Sequence, residues 1–380
     1  MEARAARREA GGVEGAPRDA SLTRLRFLLI AWVVLYHLDL TLRVSEALPW
    51  LRPVLGRGYL GVDGFFLLSG FALWLGYAGR PPQGRAGIGA FLLRRFAKVW
   101  PLHAVAMLAL AALVAAAAVA GVAIRDPDRF RAEDFLLQLA LVNAWETTDR
   151  HAWNYPSWAL SAEWAGYLAF PWVLRGVLGL PHRAVPAAAL LAGAGLLVLS
   201  RHVPLVGLNL TIHLGLARFG LEFVLGLLLG RLATEGRLPR ARPLLLAGAL
   251  ALAPAGLLLR QDALVVAGLA AAIAGLWLAG REGAAGPRAA PSPRPDPILR
   301  LGEASFGVYL CWIFVELALV AVLRAASPGP AGRVALMAAA FLACLAAGWL
   351  AWRFVEVPAQ RWVLLLGRRR PAGALLADRP

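Results

Sequence analysis

The sequence predicts an all-α, polytopic membrane protein, and three observations support that prediction. Of its 380 residues, 59% are hydrophobic and only 16% are charged. The apolar residues fall into repeated stretches of about 17 to 25, the length of a helix that spans a bilayer. Basic residues crowd the ends of these stretches, as topology signals do in membrane proteins. We therefore expect about ten transmembrane helices in one membrane domain, with both termini cytoplasmic.

The predicted spans follow one another with short polar intervals between them. In chain order they lie near residues 25–42, 59–78, 99–123, 157–178, 185–200, 211–231, 243–259, 263–280, 303–324 and 333–354. No interval is long enough to bury a core of its own. We expect a cytoplasmic tail (1–24), a transmembrane domain (25–362) and a basic cytoplasmic tail (363–380).

The charge distribution sets the expected orientation and partners. Most basic residues fall on the N-terminal side of the predicted helices, and the acidic loop around 125–153 falls on the other. Topology and lipid headgroups therefore explain the net charge of +16, and no nucleic-acid partner is expected. The Arg-, Ala-, Gly- and Leu-rich composition favours a GC-rich bacterial genome. The expected location is the inner (plasma) membrane. The segment 283–297 predicts a flexible loop, and residues 368–370 predict a lipid-facing basic patch.

The two cysteines give no framework for a disulfide or a metal. Cys311 and Cys344 both lie in apolar spans, where cysteine behaves as a small hydrophobic residue. Their positions match no zinc motif, so no metal is expected.

A histidine inside the first apolar span is the leading candidate for chemistry. His37 lies about 13 residues into an outward-running helix, about 20 Å from its cytoplasmic end, where hydrocarbon offers its imidazole no water. Asp63 and Glu163 enter from the outer side in the second and fourth spans, so the three groups are expected to share one layer. A carboxylate neighbour would hold the histidine in one tautomer and suit it to general-base catalysis. Asp63 fits a helix N-terminal cap equally well.

Three cations are predicted to converge at the cytoplasmic end of the third span. Arg94 and Lys98 share a helical face, and Arg95 is adjacent. Such a cluster can bind phosphates, or it can anchor the span as the positive-inside rule requires.

Three more charges lie inside predicted spans. Arg218 and Glu222 are four residues apart and predict a mutually neutralising pair. Glu316 has no partner in its sequence neighbourhood, so its role stays open.

Six motifs, in order along residues 25–362, resemble those of the membrane-bound acyltransferase 3 family. They are Arg26 with the apolar run to Tyr36-His37; residues 61–71; Arg94-Arg95 with Lys98 and Pro101; residues 158–164 with Tyr167 and Pro171; Leu301-Gly302 with Ser305 and Tyr309-Leu310; and residues 354–358. Two positions depart from the family pattern. Thr23-Arg24 stands where Asp-Gly is usual before Leu-Arg. Lys98 stands where arginine is usual, which exchanges a forked donor for a point charge.

The resemblance implies an O-acyltransferase for acyl groups other than amino-acyl. Its co-substrate would be cytoplasmic acyl-CoA, and its acceptor a hydroxyl on a glycan or glycosylated metabolite, as in carbohydrate O-acetylation. By this resemblance Arg94, Arg95 and Lys98 bind the coenzyme A phosphates. His37 is the general base, oriented by Asp63 or Glu163. Further candidate site residues are Arg26, Tyr36, Ser69, Trp158 and Ser161.

Two alternatives stay open. Ser69 or Ser161 could carry the acyl group covalently, although small hydroxyls in Gly- and Trp-rich segments commonly serve helix contacts. The rival class is a proton-coupled transporter, in which His37 and the buried carboxylates form a relay. Transporters often contain inverted repeats and broken helices, and the sequence shows neither clearly.

Overall fold

The computed structural model describes residues 19–122, 126–202, 206–236, 238, 241–285 and 296–368. Within these ranges the chain is a bundle of ten long helices and contains no strand, so the all-α prediction is confirmed. The long helices are α1 Ala20–Leu42, α2 Gly61–Tyr77, α3 Gly84–Val119, α4 Ser157–Gly179, α5 Ala184–His202, α6 Gly215–Thr234, α7 Arg242–Leu259, α8 Asp262–Ala285, α9 Ser305–Ala325 and α10 Pro330–Ala351; a shorter α11, Val357–Arg368, follows. We call the end of the bundle where α1 begins the lower end, and the opposite end the upper end.

The helices are those of a membrane protein. Eight helical stretches in the described ranges are long and apolar enough to cross a membrane. The two long helices outside that set are α4, which carries Glu163, and α6, which carries Arg218, Glu222 and Arg231. Charges at membrane depth are tolerated mainly where they are paired or face a cavity. The number of spans and the side of the termini stay predictions.

The first helix begins five residues before the predicted span. Asp19 caps it, because its side chain accepts hydrogen bonds from the backbone N–H groups of Ser21 (2.8 Å) and Leu22 (3.2 Å). The helix ends at Arg43, whose φ of 54° is left-handed. A carboxylate cap thus exists although Thr23-Arg24 replaces the usual Asp-Gly. The predicted tail 1–24 ends inside α1, and its first 18 residues lie outside the described ranges.

Helices α2 and α6 approach closely through glycines. A Cβ on Gly70 would collide with the backbone carbonyl of Phe223, and one on Gly226 with that of Leu67. Small residues at these two positions let the helix backbones touch, as they do at helix contacts in membranes. The approach brings α2 against the charged face of α6.

Helix α3 is much longer than the predicted third span. Its 36 residues extend for about 54 Å, so the predicted span 99–123 corresponds to its upper part. The cations at 94, 95 and 98 consequently lie within the body of the helix and not at its end.

Short helices and loops cover the upper end. The acidic loop contains a turn of 3₁₀ helix at Pro127–Phe130 and a helix at Ala132–Leu139. A ring nitrogen of His103, on α3, lies 2.8 Å from the carbonyl oxygen of Gln138 and ties this loop to the bundle. Two other predictions fall largely outside the described ranges, namely the flexible loop 283–297 and the basic patch 368–370.

Candidate functional site

A cavity of about 340 Å³ lies between α1, α2, α3, α4 and α9. Along α2 its lining runs from Val62 to Tyr77, a rise of about 22 Å, so the cavity is elongated along the bundle. Its polar lining residues are Arg26, Ser69, Tyr77, Arg95, Lys98, Glu163, Tyr167, Ser305 and Tyr309. The cavity therefore brings together five of the predicted site residues, namely Arg26, Ser69, Arg95, Lys98 and Glu163.

His37 and Asp63 do not lie in the same layer. Gly61 packs against the backbone of Leu29 and the side chain of Val33, and Asp63 is two residues further down α2. Leu29 precedes His37 by eight residues, so Asp63 lies about 12 Å nearer the lower end than His37. The expectation of a shared layer is wrong, because short helical turns carry the chain downward before α2 begins.

Glu163 lies nearer the lower end than Asp63 does, in the wall of the cavity. Its carboxylate accepts hydrogen bonds from the hydroxyls of Ser69 (2.7 Å) and Tyr167 (2.6 Å). Ser69 follows Asp63 by six residues, about 9 Å further along α2. Glu163 therefore organises the polar wall of the cavity, and no hydrogen bond in the described ranges joins it to His37.

Asp63 has a different partner from the predicted one. It forms a two-pronged ion pair with the Arg218 guanidinium on α6, and both side chains are fully buried. Glu222 lies 3.9 Å from Arg218, and within the described ranges its oxygens have no hydrogen-bond partner. The predicted Arg218–Glu222 pair is thus only the weaker contact, because a forked guanidinium matches a carboxylate on a facing helix better. Asp63 makes no N-cap bond, since α2 has no side-chain cap.

His37 is held by aromatic side chains near the upper end. Its Nδ1 lies 3.2 Å from the hydroxyl oxygen of Tyr155. The indole of Trp312 stacks on its ring, with centroids 4.1 Å apart, and Tyr36 meets it edge-on at 4.9 Å. His37 does not line the cavity, but Tyr309 does, and Trp312 lies one turn, about 4.5 Å, further along α9.

Sequence reasoning missed both Tyr155 and Trp312. Tyr155 precedes Pro156 just before α4, and Trp312 lies in an apolar span. Only the polar hydroxyl directly before a motif-bearing helix could have pointed to Tyr155.

The predicted cation cluster is split between two environments. Arg95 lies in the cavity, with its guanidinium 5.8 Å from the Tyr167 ring centroid, and its buried Nε has no acceptor in the described ranges. Arg94 instead donates to the Tyr77 hydroxyl (3.3 Å) and does not line the cavity. The third basic residue of the cavity lining is Arg26 on α1, and not Arg94.

Lys98 is paired with a carboxylate from the last motif. Its ammonium contacts Glu356, which is buried in the π-helical turn Trp352–Glu356. The sequence contained this partner within the motif at 354–358, but nothing in the local pattern connected it to α3. The pairing leaves Lys98 in the cavity lining but not as a free charge.

Three further candidates lie outside the cavity lining. The Ser161 hydroxyl donates to the Leu141 carbonyl (2.9 Å) and accepts from the Ala144 N–H (3.0 Å), which ties α4 to the upper loop. The Tyr36 hydroxyl accepts from the Asn209 amide (3.2 Å). The Trp158 ring packs against the Arg218 guanidinium, with 5.3 Å between the ring centroid and the guanidinium carbon.

The partner of Glu316, which the sequence did not indicate, is Thr41 on α1. The Glu316 carboxylate accepts a hydrogen bond from Thr41 (3.2 Å), so it joins α9 to the upper end of α1.

Glu146 links the loop before α4 to the segment before α6. Glu146 accepts hydrogen bonds from the Leu214 N–H (2.8 Å) and contacts Nδ1 of His213 (2.7 Å). The hydrogen bond from His213 lowers the pKa of Glu146, with a smaller contribution from the Leu214 N–H, while partial burial opposes the shift.

Within the described ranges, no group of three His, Cys, Asp or Glu side chains could hold a metal ion.

Comparisons with known proteins identify the type of domain. The acyltransferase 3 family, described as an acyltransferase domain, matches residues 19–353. A protein of Streptomyces mycarofaciens named acyltransferase MdmB is 31% identical over 342 residues, which cover 83% of each chain. No solved structure matches this chain.

Proposed function

The chain belongs to the acyltransferase 3 family and is an O-acyltransferase, and from that premise we propose that it transfers an acyl group from acyl-CoA to a hydroxyl of a sugar-containing acceptor. One observation supports this proposal above others. The elongated cavity has cations in its lower half and ends at Tyr309, one helical turn from the tryptophan that stacks on His37. In this proposal the phosphate-bearing donor would bind in the lower half of the cavity, and His37 would act just beyond its upper end.

The proposed orientation puts the lower end in the cytoplasm. Helices α4 and α6 complete a set of ten spans, and both termini then lie on the same side. Acyl-CoA is a cytoplasmic metabolite in this proposal, and the cations of the cavity face its source. We place the protein in the inner (plasma) membrane.

The cavity cations suit the phosphates of coenzyme A. Guanidinium groups bind phosphate through paired charge-assisted hydrogen bonds. The buried Nε–H of Arg95 has no acceptor in the described ranges and could donate to a phosphate oxygen. Arg26 adds positive charge in the same lining, where Lys98 is paired with Glu356. Arg94 lies outside the lining, against Tyr77. The pantetheine arm would then extend along the cavity toward Tyr309.

The transfer needs two proton movements, one from the acceptor hydroxyl to His37 and one from His37 to the departing thiolate. Nε2 of His37 takes the proton of the acceptor hydroxyl as its oxygen attacks the thioester carbonyl carbon. The carbon–sulfur bond breaks, an ester forms, and the imidazolium returns the proton to the departing thiolate. Free coenzyme A leaves as a thiol, and the histidine is neutral again. A general base contributes about 10²- to 10⁴-fold to such a step.

The carboxylates take supporting roles in this proposal. Asp63 neutralises Arg218 and so fixes α2 against α6. Glu163 orders Ser69 and Tyr167 in the wall along which the donor would lie. Neither carboxylate is proposed to orient His37.

A proton-coupled transporter is the alternative, because buried histidine and carboxylates can also form a relay. The two functions differ in how they respond to coenzyme A. Free coenzyme A should raise the unfolding temperature of the purified protein, and the Arg95→Ala variant should lose that response. A carrier would show no such effect.

The acceptor can be sought directly. Mass spectrometry of glycans and small metabolites from cells with and without the protein should reveal a mass increment of one acyl group. The same fraction, incubated with acetyl-CoA and purified protein, provides the assay, with release of free coenzyme A as the readout. Absence of both the increment and the release would contradict the proposal.

A further inference from the structure

The His37 imidazole makes one hydrogen bond to a side chain. Its Nδ1 faces the Tyr155 hydroxyl at 3.2 Å, while Nε2 has no hydrogen-bond partner in the described part of the chain. Trp312 covers one ring face and Tyr36 meets the ring edge-on. Nδ1 is therefore hydrogen-bonded within the protein, whereas Nε2 is not.

The direction of the Tyr155 bond decides what His37 can do. If the hydroxyl donates to Nδ1, the hydrogen of the neutral ring lies on Nε2, and no lone pair is left to accept a proton. If the hydroxyl oxygen accepts from Nδ1–H, the lone pair of Nε2 is free. Only the second arrangement makes a general base.

Tyr155 is itself rigidly held. Its ring meets Trp312 edge-on at 5.4 Å and His151 at 5.7 Å, and the Arg129 guanidinium lies 5.1 Å from its centroid. Burial, and after it the charge of Glu316 on α9, raises the pKa of Tyr155, so its hydroxyl keeps its hydrogen. A hydroxyl whose hydrogen points elsewhere can accept through its oxygen, so the geometry allows Tyr155 to accept from Nδ1–H.

We infer that Tyr155 is a positioning residue whose hydroxyl oxygen accepts the Nδ1 hydrogen of His37 and so keeps Nε2 free for the acceptor hydroxyl. This inference rests on the proposed function, since it gives His37 the tautomer that the reaction needs. It assigns Tyr155 the orienting role that the sequence had suggested for Asp63 or Glu163.

The Tyr155→Phe variant should show a specific kinetic change. Outer partners that fix a histidine tautomer are worth about 10- to 100-fold. We expect the rate at saturating acetyl-CoA to fall by that factor. The KM for acetyl-CoA should stay unchanged, because the cations that bind the phosphates lie at the other end of the cavity.

The tautomer itself can be read by nitrogen NMR. Protein labelled with ¹⁵N-histidine in lipid nanodiscs gives distinct shifts for protonated and bare ring nitrogens, and His37→Gln assigns the signals. We expect Nδ1–H in the wild type and a mixture of tautomers in Tyr155→Phe. Tyr59→Phe is the matched control, because its hydroxyl donates to Asp262 (2.7 Å), and it should leave the His37 tautomer unchanged.

Two results would overturn the inference. One is a wild-type His37 with its hydrogen on Nε2, a measurement that needs no variant to fold. The other is a folded Tyr155→Phe protein with unchanged rate and unchanged tautomer. An Nδ1–H tautomer together with full activity in His37→Ala would support the Tyr155 bond and reject the proposed function, so the two failures are distinguishable.

Discussion

The imidazole of His37 lies face to face with the indole of Trp312, with ring planes 17° apart and centroids separated by 4.1 Å. Trp312 is fully buried on α9, and His37 belongs to α1. The stack therefore fixes the ring across a helix contact. It leaves the ring edge free for the contact with Tyr155 and, in the proposed reaction, for the acceptor hydroxyl.

Removing the indole should misplace His37. A displacement of about 1 Å can cost about 10²-fold in rate, so Trp312→Ala should lose activity on that order. The cavity it leaves should also destabilise the protein by about 3–5 kcal/mol. Trp312→Phe keeps an aromatic face and should retain most activity. The measurements are acyl transfer and thermal unfolding, and a fully active Trp312→Ala protein would refute a role for the stack.

Arg95 should dominate binding of coenzyme A. Hydrogen bonds to charged groups contribute about 1.5–3 kcal/mol, so Arg95→Ala should weaken binding about 10- to 100-fold. Arg94→Ala should have a smaller effect, because Arg94 is held by Tyr77 outside the cavity. Arg80→Ala removes an exposed arginine next to α2 and is the control. Calorimetric titration with coenzyme A gives the affinities, and equal losses for all three variants would argue against a specific site.

The buried ion pair between Asp63 and Arg218 should govern stability. Arg218→Met leaves Asp63 without its partner and should cost about 3–5 kcal/mol. The double variant Asp63→Asn/Arg218→Met removes the stranded charge and should recover part of that loss. Thermal unfolding in detergent is the measurement. If Asp63→Asn instead abolished activity at wild-type stability, Asp63 would belong to the chemistry and not to the packing.

Direct transfer predicts no acyl-enzyme. Ser69→Ala should keep most of the activity, since Ser69 only donates to Glu163 in this account. Ser161→Ala should lose about 1–3 kcal/mol of stability, because it strips hydrogen bonds from two buried backbone groups. Protein quenched after incubation with labelled acetyl-CoA can be digested and analysed by mass spectrometry. An acetyl group on Ser69 would establish a covalent route.

The sequence predicted the helices well because their signal is local. Apolar stretches of spanning length mark each long helix, and the structure has a helix at every predicted span. The largest departure is α3, which begins at Gly84 because the residues before 99 are polar enough to resemble a loop yet continue as helix.

The side-chain partners could not be predicted because they depend on contacts distant in sequence. Counting residues from a span boundary placed Asp63 level with His37, but the turns before α2 change its depth. The partner of Arg218 is 155 residues away, and that of Lys98 is 258 away. A local rule instead favours Glu222, four residues from Arg218.

The rate of acyl transfer by the His37→Ala variant shows whether His37 is the general base. Purified protein, acetyl-CoA and the acceptor fraction should release coenzyme A at least about 10²-fold more slowly than wild type, with binding of coenzyme A unchanged. His182→Ala, which removes an exposed histidine paired with Glu235, is the control and should match wild type. Wild-type rates in a folded His37→Ala protein would contradict the assignment of this histidine as the general base.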